Sequence, residues 1–91
     1  MILKNYAKIT IYTTAEVIDN LKANLMYYSP VHIVLEDIKK SMITGNTYQE
    51  FSKMIELILP EETLQSVFEY LHTYYFGKYP VIAYSSTIIM P

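Results

Sequence analysis

The sequence contains no cysteine, no tryptophan and no arginine. Without cysteine the chain forms neither disulfides nor thiolate sites, so nothing indicates an oxidising compartment and we expect an intracellular, cytoplasmic protein. Only two histidines are present, His32 and His72, and neither has a second ligand at metal-binding spacing. The composition therefore predicts no metal site and no cofactor.

The missing arginine also bears on partners. Arginine is the side chain best suited to paired hydrogen bonds with phosphate or guanine, so its absence argues against a nucleic-acid partner. The seven lysines are dispersed among nine acidic residues and form no basic stripe. A lack of arginine beside abundant isoleucine, tyrosine and lysine is typical of AT-rich genomes, which suggests a viral or plasmid gene.

Glycine is scarce, and the motifs that depend on it are missing. The two glycines, Gly45 and Gly77, form neither a phosphate-binding loop nor a GxSxG turn. The acidic pairs at 36–37 and 61–62 are adjacent in sequence, so on a helix their carboxylates point in different directions. The sequence predicts no catalytic residue, which favours a non-enzymatic protein.

Long hydrophobic runs are also missing. No run of about 18 apolar residues could span a membrane, and the first residues lack the features of a signal peptide, so we expect a complete, soluble chain. Apolar material is nevertheless abundant, since 52% of the 91 residues are hydrophobic and 14% are aromatic. One domain of this length cannot bury so much, which predicts that part of it covers a subunit interface.

Two sequence patterns near the start of the chain predict a strand followed by a helix. Residues 6 to 13 alternate between apolar and polar side chains, which predicts a half-buried strand. Thr13 precedes Glu16 by three residues, the spacing of a capping box, and predicts that a helix follows. Apolar residues then recur at three and four positions, so this helix is predicted to run to about residue 27, before Pro30.

Residues 31 to 44 fit two structures. The β-branched run from Val31 to Leu35 is typical of a buried strand, whereas a helix from Pro30 to Gly45 would also place its apolar residues on one face. A continuous helix would leave almost no connection after the preceding one. We therefore expect a short strand at 31 to 35 and a helical segment to about residue 43.

The second half of the chain is predicted to be mainly helical. Thr47 and Glu50 have the spacing of a second capping box, before an apolar face that ends at Pro60. A third helix is predicted from 61 to 76, with acidic residues in its first turn and glycine beyond its end. Residues 81 to 89 are β-rich and predict a final strand.

These elements predict one α+β domain, residues 1 to 91, in the order β-α-β-α-α-α-β. Two or three strands and three to four helices would form a small sandwich-like structure. The stretch KITIYTT, residues 8 to 14, resembles the first strand of glutaredoxin-like proteins. Because the cysteine motif of those proteins is missing, the resemblance implies no function.

The stretch YLHTYYFGKYP, residues 70 to 80, holds five aromatic residues. Two of them, Tyr74 and Tyr75, are predicted to face the core, because they lie on the apolar face of the third helix. Three others lie off that face and either form an interface or cover the edge of the domain. These candidate interface residues are Tyr70, Phe76 and Tyr79.

The final strand is predicted to be an exposed edge of the sheet. Its unpaired backbone groups could pair with those of a second subunit, which would form a homodimer. The side chains that this contact would cover are Ile88, Ile89 and Met90.

Two hypotheses on function remain. The first is a small non-enzymatic protein–protein interaction module, a homodimer with a protein partner of unknown identity. The second is a small-ligand or nucleotide-binding α/β domain, which could carry weak hydrolytic activity and needs the strand at 31 to 35 to be a parallel neighbour of the first strand. Its site would lie beyond the strand ends, near Thr13, Thr14, Glu36, Ser85, Ser86 and Thr87.

Overall fold

The computed structural model describes residues 2–91, which form four strands and two α-helices. Two short 3₁₀ turns, Met26–Tyr28 and Glu61–Thr63, follow α1 and precede α2. The elements in chain order are β1 (Lys4–Thr13), α1 (Ala15–Leu25), β2 (His32–Thr44), β3 (Thr47–Pro60), α2 (Leu64–Tyr74) and β4 (Ile82–Met90).

The strands form one antiparallel sheet in the order β2-β3-β1-β4. β1 is an interior strand, where Ile9 pairs with Leu57 of β3 on one side and with Ser85 of β4 on the other. Each helix connects two strands that are separated by one intervening strand of the sheet. This β-α-β-β-α-β arrangement is the ferredoxin-like fold.

The hydrophobic core lies between the two helices and one face of the sheet. Every second residue along the central parts of β1 and β3 is fully buried there, as expected for strands with one covered face. The helices contribute residues spaced by three and four positions. The core side chains include Ile9, Ile11, Ile55, Leu57 and Leu59 from the strands and Val17, Ile18, Leu21, Leu25, Val67 and Leu71 from the helices.

The predicted order with three to four helices is wrong. Residues 36 to 43 continue strand β2, and residues 47 to 58 belong to β3, where helical segments were predicted. The two strands pair with each other from His32 and Ile58 to Thr44 and Thr47. Apolar residues of this segment satisfied a helical period as well as a two-residue period, and pairing between distant residues decided the outcome.

The turn between β2 and β3 explains why Gly45 was misread as a helix end. Gly45 and Asn46 form a two-residue connection, and Gly45 has a φ of +61°. Tight hairpins need this left-handed conformation, and so do helix ends, so a glycine alone does not distinguish them.

The other five predicted elements are confirmed, with shifted bounds, and the strand predicted at 31 to 35 is the first part of β2. The strand at 6 to 13, the helix that follows it, the helix within 61 to 76 and the strand at 81 to 89 correspond to β1, α1, α2 and β4. The capping box of Thr13 and Glu16 is wrong, because α1 begins at Ala15 and Thr14 is its N-cap residue. Thr14 makes no side-chain capping hydrogen bond.

The distal half of the β2–β3 hairpin projects from the sheet. Pairing of β3 with β1 ends at Lys53, so residues 38 to 52 extend past the interior strand. The molecule is 48 Å long but only 23 and 21 Å across. A β-bulge between Asp37 and Lys40 inserts one extra residue in β2 at the base of this projection, and such bulges redirect the side chains that follow.

Neither helix covers the opposite face of the sheet. On this open face the hydroxyl groups of Tyr12 and Tyr84 are hydrogen-bonded to each other at 3.1 Å. Lys8 Nζ lies 3.6 Å from a carboxylate oxygen of Glu56. β4 lies at an edge of the sheet, as predicted. The half-buried apolar residues that the strand register assigns to this open face include Val34, Met54, Ile58, Ile82, Ile88 and Met90.

Candidate ligand-binding site

Two threonine hydroxyl groups are buried at the end of β1 without a hydrogen-bond partner. Thr13 is fully buried, and Thr14 directly precedes the first turn of α1. Neither Oγ1 atom forms a hydrogen bond with any of residues 2–91. An unpaired buried hydroxyl costs about 1–3 kcal/mol, so two adjacent ones mark a place where the fold leaves hydrogen-bonding capacity unused.

One lysine lies in the same row of the sheet as Thr13. Lys53 is the register partner of Thr13 across β1 and β3, and its Nζ contacts the carboxylate of Asp37 on β2. The Asp37 side chain is 84% exposed, so this ion pair is weak and open to solvent. Lys40, just beyond the bulge, lies on the open face, where its Nζ is 4.6 Å from the centre of the Tyr12 ring.

We call Thr13, Thr14 and Lys53 the sheet-end site. The first turn of α1 adds backbone N–H groups to it, because the first amides of a helix have no partner within the helix. Such amides, hydroxyl groups and the lysine ammonium group are all hydrogen-bond donors, and together they suit an anionic ligand.

The predicted ligand-site residues are only partly brought together. Thr13 and Thr14 are in the site, and Glu36 lies at the same end of the sheet. Glu36, however, pairs with Met54 in the row next to that of Thr13 and Lys53, so its side chain points to the other face.

The other three predicted residues, Ser85, Ser86 and Thr87, lie outside the site. They pair with residues 9, 8 and 7 in the middle of β1. Ser85 is thus about 13 Å along the strand from Thr13, at the usual rise per residue. Lys53 was missed because it was assigned to a helix, where no strand register could place it beside Thr13.

A second concave surface lies between α1 and the region of α2, with a volume of about 740 Å³. The spacing by four places Glu16, Asn20 and Asn24 along one side of α1. Val17 and six tyrosines line the rest, and we call this surface the tyrosine groove; the tyrosines are Tyr27, Tyr28, Tyr70, Tyr74, Tyr75 and Tyr79.

The Tyr75 hydroxyl group is the centre of a hydrogen-bond network in this groove. It accepts hydrogen bonds from Nδ2 of Asn20 at 3.0 Å, from Nδ2 of Asn24 at 3.4 Å and from the Tyr70 hydroxyl at 3.4 Å. Burial raises the pKa of Tyr70, and its hydrogen bond to Tyr75 raises that pKa further. Tyr70 therefore remains a neutral phenol well above the usual range for tyrosine ionisation.

The candidate interface residues occupy two separate places. Tyr70 was predicted to lie opposite the core face, but it is half-buried against the core, as is Phe76. Tyr79 is exposed, and so is Tyr74, for which burial was wrongly predicted. In β4, Ile89 is exposed, whereas Ile88 and Met90 are half-buried.

The two histidines lie apart from both surfaces. His32 Nε2 is 4.0 Å from a carboxylate oxygen of Glu56 on the open face of the sheet, and His72 is exposed on α2. Among residues 2–91, no three histidine, aspartate or glutamate side chains are grouped so that they could hold a metal ion. No helix in this part of the chain is long and apolar enough to cross a membrane.

No protein-family model matches the sequence, and no curated protein shows significant sequence similarity to it. Solved structures, by contrast, are similar over the full chain. CPII from Thiomonas intermedia K12, a nitrogen regulatory PII-like protein bound to ADP, AMP and bicarbonate, has a TM-score of 0.79 at 14% identity, covering 100% of both chains.

Two further structures extend this similarity. A PII-like signalling protein from Thermus thermophilus has a TM-score of 0.77 at 19% identity, covering 99% of this chain and 92% of its own. A DUF3240 family protein from Shewanella baltica OS155 has a TM-score of 0.59 at 14% identity, covering 94% and 88%. At these identities the fold is what is shared, and it is the fold of PII-like proteins.

Proposed function

We propose that the chain is a small regulatory protein that binds an anionic metabolite, foremost an adenine nucleotide, at the sheet-end site. The observation that carries the proposal is the pair of buried, unpartnered hydroxyl groups of Thr13 and Thr14 beside Lys53. Phosphate oxygens accept hydrogen bonds from hydroxyl and ammonium groups, and charge strengthens the contact with lysine. A nucleotide phosphate would therefore satisfy groups that the folded chain leaves unpaired.

The similar structures support the second of the two sequence-based hypotheses better than the first. CPII, which shares the fold, is bound to ADP, AMP and bicarbonate, and each of these ligands is an anion. The Thermus protein is described as a signalling protein. Neither comparison supports a viral or plasmid origin, or an interaction module that acts only as a homodimer.

The β2–β3 hairpin provides the regulatory output in this proposal. Its base adjoins the sheet-end site through Lys53 and Asp37, and its tip carries the exposed cross-strand pair Ile43 and Tyr48. Exposed apolar side chains on a projecting element suit contact with a protein partner. A ligand that draws Lys53 away from Asp37 would alter the base of the hairpin and so the presentation of its tip.

Isothermal titration calorimetry with ADP, AMP and adenosine tests the proposal. We expect both nucleotides to bind and adenosine to bind at least about tenfold more weakly, since it lacks the phosphate. The double substitution Thr13→Val with Thr14→Val should abolish binding, whereas Thr87→Val, on exposed β4, should leave it unchanged.

Two results would contradict the proposal. Equal affinity of the double variant and the unmodified chain would place the nucleotide outside the sheet-end site. Failure of ADP, AMP and bicarbonate to produce heat or chemical-shift changes at about 5 mM would rule out an anion site of useful affinity.

A further inference from the structure

We infer that the tyrosine groove is a second ligand site, which binds a small organic cation carrying a methylated ammonium group. None of the side chains of Thr13, Thr14 and Lys53 lines the groove, and the two sites share only the first turn of α1, which carries Glu16 and Val17. Its ligand would also have the opposite charge. This inference therefore does not rest on the proposed function.

The groove has the size of a small-molecule site. Its volume of about 740 Å³ lies within the usual range of such sites, about 300–1,000 Å³. One wall is polar, formed by Glu16, Asn20 and Asn24, and the other is aromatic. A ligand there would meet a charge, amide groups and ring faces together, which is the mixed lining that fixes the orientation of a small ligand.

The aromatic rings meet at large angles, as the walls of a cage do. The Tyr70 ring is inclined by 64° to Tyr75, by 44° to Tyr74 and by 52° to Tyr28, with centroids 5.7, 5.4 and 6.0 Å away. These neighbouring rings therefore pack tilted against one another and are not stacked face to face. Aromatic cages of this kind recognise quaternary ammonium groups, because each ring face carries negative electrostatic potential.

The charge of the groove selects a cation over an anion. Among the described residues that line it, Glu16 is the only one with a charged side chain. The carboxylate would attract a cation and repel a phosphate.

Some tyrosine rings of the groove are exposed to solvent, which packing of the hydrophobic core alone does not explain. Tyr27 is 85% exposed and Tyr74 is 59% exposed, although large apolar side chains usually avoid such exposure when they are clustered. Both lie at the rim, where they could close over a bound ligand. A cation buried between them and the inner rings would lose water but gain several ring faces.

Titration with choline chloride, followed by NMR and calorimetry, tests the inference. The matched control ligand is 3,3-dimethylbutan-1-ol, which has the shape of choline without the charge. We expect choline to shift the resonances of Tyr70, Tyr74 and Tyr75 and to bind about tenfold or more tightly than the neutral analogue.

Three variants make the test specific. Tyr74→Ala and Glu16→Gln alter exposed side chains and should each weaken choline binding about threefold or more. Tyr48→Ala, on the hairpin tip, should leave it unchanged. Equal binding of the neutral analogue, unchanged affinity in Tyr74→Ala, or no shift of groove resonances at about 10 mM choline would each overturn the inference. None of these results bears on nucleotide binding.

Discussion

Lys53 and Asp37 form an ion pair between β3 and β2, at the row of the sheet where β1 ends with Thr13. The same ammonium group thus belongs to a row that holds an exposed carboxylate and a buried, unpaired hydroxyl group. An anionic ligand at Thr13 would compete with Asp37 for this lysine. Removing the charge of Asp37 should therefore raise ligand affinity, and removing the charge of Lys53 should lower it.

Asp37→Asn is expected to raise the affinity for ADP about twofold to fivefold, because it releases Lys53 from an exposed ion pair of modest strength. Lys53→Met should lower that affinity about tenfold or more, since it removes a charged donor. Calorimetry on both variants measures the changes. Lys4→Met, at the far end of β1, is the control, and a shift of both site variants in the same direction would contradict the model.

Thr13→Val should stabilise the ligand-free protein. Thr13 is fully buried and its hydroxyl group makes no hydrogen bond within residues 2–91, so a methyl group in its place removes an unsatisfied polar group. We expect the free energy of unfolding in urea to rise by about 1 kcal/mol. Thr87→Val should change it by no more than about 0.5 kcal/mol. A loss of stability in Thr13→Val would show that the hydroxyl group is satisfied in solution.

Tyr70 should make stability depend on alkaline pH. Burial, together with the hydrogen bond to Tyr75, raises its pKa above the ordinary value of 10.0, so the folded state favours the protonated phenol. Its contribution is fully present below pH 10 and is lost as the pH rises towards the folded-state pKa. Tyr70→Phe should therefore reduce the loss of stability between about pH 9 and pH 11 in urea melts. Tyr27→Phe, at an exposed position, should leave that loss unchanged, and the same result for both variants would refute the assignment.

Alanine substitutions on two neighbouring faces of α2 should differ widely in their cost to the free energy of unfolding. Leu71 is fully buried, whereas Tyr74 is 59% exposed and contacts mainly the Tyr70 ring. Leu71→Ala should cost about 2–5 kcal/mol and Tyr74→Ala less than about 1 kcal/mol. Denaturant melts measure both, and similar losses would mean that the core face of α2 is misplaced.

The open face of the sheet should mediate self-association. It carries half-buried apolar residues on β2, β3 and β4, and we expect light scattering to give a multiple of the 10.6 kDa chain mass. Ile88→Lys should shift the mass towards the monomer, because a lysine buried in the contact would lack a partner. Ile43→Lys, on the hairpin tip, is the control. A persistent monomer at about 100 μM would contradict the expectation.

The parts of the fold that the sequence predicted are those where the local pattern has one solution. The strand with Ile9 and Ile11 alternates strictly, and the helix with Leu21 and Leu25 repeats at four residues, so each was assigned correctly. The segment from 36 to 58 has apolar residues that fit both periods. Its strands are set by pairing with each other and with β1, and a local pattern does not contain that information.

The candidate site was predictable to a similar extent. Thr13 and Thr14 were named on the premise that β1 and the strand at 31 to 35 are parallel neighbours, and that premise is wrong, because β3 lies between them in an antiparallel sheet. Lys53 could not be identified, because it reaches Thr13 only through the register of β1 with β3. The tyrosine groove was partly visible as an aromatic cluster in residues 70 to 80, but its polar wall on α1 is about 50 residues away in sequence and is joined to it only by folding.

The bulge between Asp37 and Lys40 lies at the base of the projecting half of the β2–β3 hairpin, so a change of angle at the bulge moves the whole projection. From Asp37 to Thr44 at the tip, β2 advances seven residues, or about 23 Å at the rise of a β-strand. Cross-strand hydrogen bonds between β2 and β3 stiffen the projection along this length. A rotation of about 5° at the bulge would then sweep the tip through about 2 Å, enough to bring Ile43 and Tyr48 into or out of van der Waals contact with a docked surface.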